Sequence, residues 1–226
     1  MDHGPKHIVF DWNCTLLDDV QALFDCTNGL LQKEGHAPLT IEHFRDNYEI
    51  PFTVFYGRMG FNEDQVARLM SLENSAFHDN YEPRAAKASL REGASEILDH
   101  AKALGVNSMI LSNHIVDPIK VQLKRLKVDH LFSEVLAYAD RATQFKHMTK
   151  GERLKRFMKE RGYDAHDAII VGDTIEEIEI ARDQGFVSVA ITGGCTSEKR
   201  LRDQNPHYVI HSLHELKNVM QERGFA

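Results

Sequence analysis

Cysteine is scarce: Cys14, Cys26 and Cys195 are the only three in 226 residues, with no CxxC spacing. That argues against a disulfide framework or a zinc knuckle and fits a reducing, cytoplasmic compartment. No apolar run approaches the length that crosses a bilayer, and the N-terminus lacks the charged-then-apolar pattern of a signal peptide, so no membrane partner is expected. Basic residues are in deficit: 27 Lys and Arg against 34 Asp and Glu leave a formal charge of −7. With no Lys/Arg run interleaved with aromatics, no nucleic-acid partner is expected. Internal repeats and low-complexity segments are also missing. The thirteen histidines are scattered. What remains is a globular composition, 42% hydrophobic and 27% charged, long enough to bury a sizeable core.

The chain begins with Ile8-Val9-Phe10, a short β-favouring run that reads as a strand buried on both faces and ends on Asp11. After Leu17 the period changes. Val20, Leu23, Phe24, Leu30 and Leu31 recur at helical spacing, with Asp18 or Asp19 as N-cap and Gly35 as a stop. Thr40 caps a short helix through Phe44, and Asn62 with Gln65 forms a capping box opening a helix that runs toward Tyr81 and stops before Pro83. Residues 17–84 therefore read as a separate all-helical unit. From Leu90 onward, strands at Asn107–Leu111, Val135–Tyr138, Ala168–Val171, Val187–Ile191 and Tyr208–Ile210 alternate with helices. The expected fold is α/β, with residues 1–16 and 85–226 forming a three-layer Rossmann-like core around a parallel sheet.

Three strands end in chemistry: Asp11 after Phe10, Ser112 after Leu111, and Asp173 after Gly172. Parallel neighbours bring their carboxyl ends to one edge, so these residues can converge in one crevice. Two carboxylates held close repel, and a cation offsets that repulsion. Oxygen ligands of this kind suit Mg²⁺, which takes one or two carboxylates and completes its shell with substrate phosphate. Ser112 and Asn113, at an expected loop-to-helix junction, supply a hydroxyl and backbone N–H groups for phosphate oxygens. Lys150, at a helix start, adds a positive charge. Such a set suits phosphoryl transfer.

With these residues in place, the chain resembles the haloacid dehalogenase-like hydrolases over essentially its whole length, in the phosphoglycolate- and phosphoserine-phosphatase-like branch with a helical cap after the first strand. Phe10-Asp11-Trp12-Asn13-Cys14-Thr15-Leu16 resembles the first motif, which implies that Asp11 is the nucleophile forming an aspartyl phosphate. Leu111-Ser112-Asn113 resembles the second, Lys150-Gly151-Glu152 the third, with Lys146 as the alternative lysine. Val171-Gly172-Asp173-Thr174-Ile175-Glu176-Glu177 resembles the fourth, implying Asp173 on a Mg²⁺ ion and Glu177 behind it, where the family usually has a second Asp.

One departure matters. The family's phosphatases carry an Asp two residues after the nucleophile, which protonates the leaving oxygen; here that residue is Asn13. Its backbone carbonyl can still face the metal, but its amide cannot exchange a proton, and loss of a general acid–base lowers rates about 10²–10⁴-fold. The resemblance thus implies a Mg²⁺-dependent phosphatase of a small phosphorylated metabolite, attenuated toward poor leaving groups. The alternatives are a catalytically weak protein that binds a phosphorylated ligand in a regulatory role, replacement of the acid by Asp18, Asp19 or His114, and a phosphonate-cleaving hydrolase. The last needs a lysine in the cap, which offers only Lys33, placed early in its first helix. Substrate contacts are expected from Arg45, Tyr48, Tyr56 and above all Arg58. Cys14, where the family has glycine, reads as a tight-turn residue without a catalytic role.

Overall fold

Six strands lie side by side: β1 (His7–Phe10), β2 (Asn107–Ile115), β3 (Glu134–Tyr138), β4 (Ala168–Gly172), β5 (Val187–Ile191) and β6 (Tyr208–Ile210). Their order in this computed structural model, which describes residues 6–71, 74–144 and 148–225, is β3-β2-β1-β4-β5-β6, and every pairing is parallel. Between β1 and β2 the described residues make five helices, α1 (Val20–Lys33), α2 (Ile41–Asn47), α3 (Phe52–Arg58), α4 (Glu63–Leu69) and α5 (Ala76–Ala85), before α6 (Ala94–Ala103). The remaining helices are α7 (Val116–Leu126), α8 (Arg141–Gln144), α9 (Lys150–Arg161), α10 (Ile175–Gln184), α11 (Glu198–Asp203) and α12 (Leu216–Glu222). No described helix is long and apolar enough to cross a membrane.

Strand side chains alternate between two covered faces, which is why β1 and β4 are apolar at successive positions. Ile8, Phe10, Ile110 and Val171 pack with Ile97, Leu123 and Val219 of α6, α7 and α12. Val9, Met109 and Ile170 pack on the opposite side with Leu154, Met158 and Ile180 of α9 and α10. This is a three-layer, Rossmann-like α/β core. The all-helical insert has its own apolar cluster around Leu31, Phe44, Phe55, Tyr56 and Tyr81. Its two connections run side by side: Leu17 and Leu90 form an antiparallel bridge, Asp18 N donates to Ser89 O (2.8 Å), and Arg91 N donates to Leu16 O (2.8 Å).

Several local signals act as expected. Thr40 accepts from His43 N, and Asn62 and Gln65 form a reciprocal capping box. The helix expected from Asn62 toward Tyr81 is instead two helices, α4 and α5, and α5 continues through Pro83. Pro83 lies near the end of α5, where its missing N–H removes one bond and the burial of Tyr81 and Ala85 holds the last turn. Asp19 occupies the N-cap of α1 but makes no side-chain cap bond; its carboxylate turns toward the sheet edge. Short α8 and α11 carry no periodic signal and were not anticipated.

Candidate active site

The strand order reverses between β1 and β4, and Asp11 and Asp173 follow these two strands. Asp11 N donates to Val171 O (2.9 Å), carrying the ladder one residue past β1 into the crevice that open α/β sheets leave at such a reversal. The two carboxylates meet at a hydroxyl. Thr15 Oγ1 lies 2.7 Å from Asp173 Oδ1 and 3.3 Å from Asp11 Oδ2. Each acid's other oxygen is also held: Asp11 Oδ1 accepts from Lys150 Nζ (2.7 Å), and Asp173 Oδ2 accepts from Cys195 N (2.6 Å). Lys150 Nζ donates in addition to Glu177 Oε1, while Glu177 Oε2 accepts from Thr174 N (3.1 Å) and Thr174 Oγ1 (2.6 Å). Two glycines make room. A Cβ on Gly172 would stand 2.2 Å from Glu177 Cγ, and one on Gly194 would stand 2.3 Å from Asp173 Oδ2.

Lys150 is presented by a helix start that the sequence specifies, because Thr149 and Glu152 form a capping box that fixes the first turn of α9. Burial disfavours the lysine's charge, yet Asp11, Glu177 and Glu176 outweigh it and hold the ammonium firmly protonated. Burial pushes Asp11 well above the ordinary carboxylate range; Lys150 opposes, and the nearby charges of Glu177 and Asp173 add to the rise. Asp173 is pushed up to about 6, again by burial, against the pull of the Cys195 N–H. Three buried carboxylates, Asp11, Asp173 and Glu177, thus share the neighbourhood of one buried ammonium, which contacts Asp11 and Glu177. This charge imbalance among oxygen donors fits a hard divalent cation. A soft ion suits it less well. The Cys14 and Cys195 thiols touch (Sγ–Sγ 2.8 Å) beside Asp173, but burial raises both, Cys195 to about 12, so they remain neutral.

Asn13 stands at the rim of this group. Its Nδ2 donates to Tyr81 Oη (2.7 Å) and Asp19 Oδ2 (2.9 Å), and Tyr81 donates its hydroxyl to the same Asp19 carboxylate. Asp19 Oδ1 accepts from Cys14 N (2.6 Å), where Cys14 has the left-handed φ of 60° that the tight turn requires. Burial raises Asp19 against these hydrogen bonds. On the other side, Ser112 Oγ donates to Asn13 Oδ1 (3.3 Å) and accepts from His114 N (3.1 Å). Ser112 and Asn113 do not form a loop-to-helix junction: β2 continues to Ile115, with a register irregularity after Leu111. Asn113 Nδ2 donates to Glu176 Oε2 (2.6 Å).

The expected set therefore gathers at one edge: Asp11, Asn13, Ser112, Asn113, Lys150, Asp173 and Glu177 all line a single cavity of about 330 Å³. Arg58 does not line it. Its Nη1 donates to Glu49 Oε2 (2.9 Å) on the exposed side of α3. Arg45 is likewise occupied, with Nε and Nη2 each 2.8 Å from the Gly194 and Gly193 carbonyls. Lys146 lies outside the described residues. Lys33 is the last residue of α1 rather than an early one, and it is exposed. Of the substitute acids, Asp18 is exposed, while His114 lines the cavity with Nε2 2.9 Å from Glu82 Oε1 and Nδ1 accepting from Ile115 N (2.7 Å). The sequence reading assigns no site role to Thr15, Tyr81, Cys195 or Gly194. Thr15 sits inside the first motif, so a β-hydroxyl four residues after the acid was the available signal.

A parallel sheet whose order reverses between β1 and β4, with Asp11, Asp173 and Lys150 buried at its carboxyl edge and a helical insert after the first strand, defines the class of this protein. The chain belongs to the haloacid dehalogenase-like hydrolases, whose family profile matches residues 8–191. Phosphoglycolate phosphatase 1 of Pseudomonas aeruginosa is 24% identical over 220 residues, covering 94% of this chain and 78% of that protein. Phosphoglycolate phosphatase of Synechococcus elongatus is 23% identical, covering 95% and 97%. The fold is similar to that of a solved haloacid dehalogenase-like hydrolase from Streptococcus pneumoniae, with a TM-score of 0.80, 19% identity, and coverage of 96% and 99%.

Proposed function

We propose that this protein is a Mg²⁺-dependent phosphatase acting on a small phosphorylated compound, with turnover tuned by Asn13. The observation that carries this reading is the meeting of Asp11 and Asp173 at the Thr15 hydroxyl, with Lys150 on the outer oxygen of Asp11. Asp11, Asp173 and the Asn13 backbone carbonyl are the groups that would hold Mg²⁺, with Glu177 behind. The ion, when bound, screens the carboxylates from each other and draws charge from the phosphoryl oxygens. Asp11 Oδ2 is the nucleophile: it forms the bond to phosphorus as the ester oxygen leaves with its electron pair, and water then cleaves the aspartyl phosphate. Lys150 favours the ionised form of Asp11 and orients it, and Ser112 and Asn113 bind phosphoryl oxygens. Residues 17–84 form the cap that closes the cavity over the core of residues 1–16 and 85–226, excluding water during transfer.

The names of the similar phosphatases support the reaction class, and the side chain of Asn13 sets its limit. Held by Tyr81 and Asp19 through its NH₂ group, it has no proton to give a leaving alkoxide. His114 does not make good the loss, because both ring nitrogens face protein groups. The test is turnover of p-nitrophenyl phosphate with and without Mg²⁺, beside the Asp11→Asn variant. Metal-dependent hydrolysis that the variant lacks is expected. Undiminished hydrolysis by Asp11→Asn would remove Asp11 as nucleophile and the reading with it.

A further inference from the structure

The cavity has two unlike ends. At the sheet edge it is lined by the carboxylates, Lys150 and Ser112; away from that edge the insert walls it with Leu23, Leu30, Phe52, Phe55, Met70 and Phe77. The insert has four arginines, and none of them lines the cavity. Arg45 and Arg58 are bound as described; Arg68 Nη2 donates to Glu34 Oε2 (3.2 Å), and Arg84 Nη1 donates to Asn80 O (2.6 Å). Among the described residues of the insert, only His78 brings a titratable base to the wall, and its Nδ1 is 3.5 Å from Glu82 Oε1. From the core, Arg141 reaches the rim. Its Nη2 donates to Asn74 O (2.7 Å), and its buried Nε has no partner. Part of this guanidinium is thus spent on a peptide oxygen, which weakens it as a two-pronged grip for a carboxylate.

Resting on the reading of the site as a phosphatase, we infer that its substrate is an aryl-type phosphate monoester, one whose leaving alcohol is ring-sized and apolar, and not a short phosphorylated acid. Two separate features converge on this. A substrate carboxylate carried against Phe52, Phe55 and Phe77 would lose its water without a described cation of the insert to replace it. An aromatic alcohol, in contrast, gains by burial. Its phenolate also departs without a proton, which is what the Asn13 amide requires. The cavity volume of about 330 Å³ is at the small end of ligand pockets and matches a phosphoryl group with a single ring system.

Binding of non-hydrolysable phosphonates in the presence of Mg²⁺, measured by calorimetry, separates this inference from leaving-group chemistry. Benzylphosphonate is expected to bind at least about tenfold more tightly than methylphosphonate, the gain from burying one aromatic ring, with phosphonoacetate no tighter than methylphosphonate. Phe52→Lys, at a half-exposed position of the wall, should abolish the benzyl advantage and improve phosphonoacetate; Met70→Lys serves if the first variant does not fold. Preference for phosphonoacetate by the unaltered protein, lost in Arg141→Ala, would overturn the substrate class while leaving the phosphatase reading standing. Absence of Mg²⁺-dependent binding by all three phosphonates would sink both.

Discussion

Replacing Asn13 with Asp exchanges an amide for a carboxyl at a point where another acid already waits. Asn13 Nδ2 lies 2.9 Å from Asp19 Oδ2, and Tyr81 has committed its hydroxyl proton to that same Asp19 oxygen. Two ionised carboxylates with oxygens this close would repel by about 6 kcal/mol at an effective dielectric of about 20, equivalent to about four pK units. Burial has already raised Asp19, so the new pair keeps one proton at neutral pH. Because Tyr81 favours the ionised form of Asp19, that proton resides on the introduced carboxyl, facing the cavity. This is the proton that a poor leaving oxygen lacks. The assay is kcat across a series of phosphate esters whose alcohols differ in acidity. Alkyl esters should gain about 10²–10⁴-fold in the variant, nitrophenyl phosphate less than about tenfold, and the dependence on alcohol acidity should flatten. An equal change across the series would refute the assignment of Asn13 as the missing acid.

Three further outcomes follow from the same geometry. Lys150→Met leaves Asp11 and Glu177 buried without their cation and should destabilise the fold by about 3–5 kcal/mol at neutral pH. Asp11, already raised by burial and now without Lys150 to oppose that rise, then titrates further above its unfolded value, so thermal unfolding should show the deficit shrinking as pH is lowered through the acidic range. Glu82 is raised by burial, but His114 and His78 outweigh this and hold it at about 2, below its ordinary 4.5. A depressed carboxylate stabilises above the ordinary value and loses that contribution as pH falls toward 2, so Glu82→Gln should lower the Tm at pH 6 and match the parent protein near pH 2. Gly194→Ala drives a Cβ against Asp173 Oδ2 and should weaken Mg²⁺ binding about 10- to 100-fold by calorimetry; unchanged affinity would exclude Asp173 from the ion.

The sheet and the placement of Asp11, Asp173 and Lys150 were legible because each follows a strong local signal. Asp11 and Asp173 terminate apolar β runs, and Lys150 follows a capping-box threonine. Asp19 was legible only as a helix cap, since nothing local reveals that its carboxylate meets Tyr81, 62 residues away. The same holds for Cys195, whose N–H reaches from the loop after β5 to Asp173 after the neighbouring β4, and for Arg58, whose partner Glu49 follows from the packing of α2 against α3. Such pairings are set by tertiary approach and leave no period in the sequence. The break between α4 and α5 has a weak signal in the sequence, because the end of α4 has no glycine or proline to announce it.

Both crossings between core and insert leave at the same spot, with Leu17 against Leu90 and Leu16 bonded to Arg91. These two connections are the line about which the proposed cap can swing, so the proposed opening widens the cavity at the side farthest from them. Under that reading substrate and product share one gap, and the aromatic wall that would select the one would also set the pace at which the other is let go.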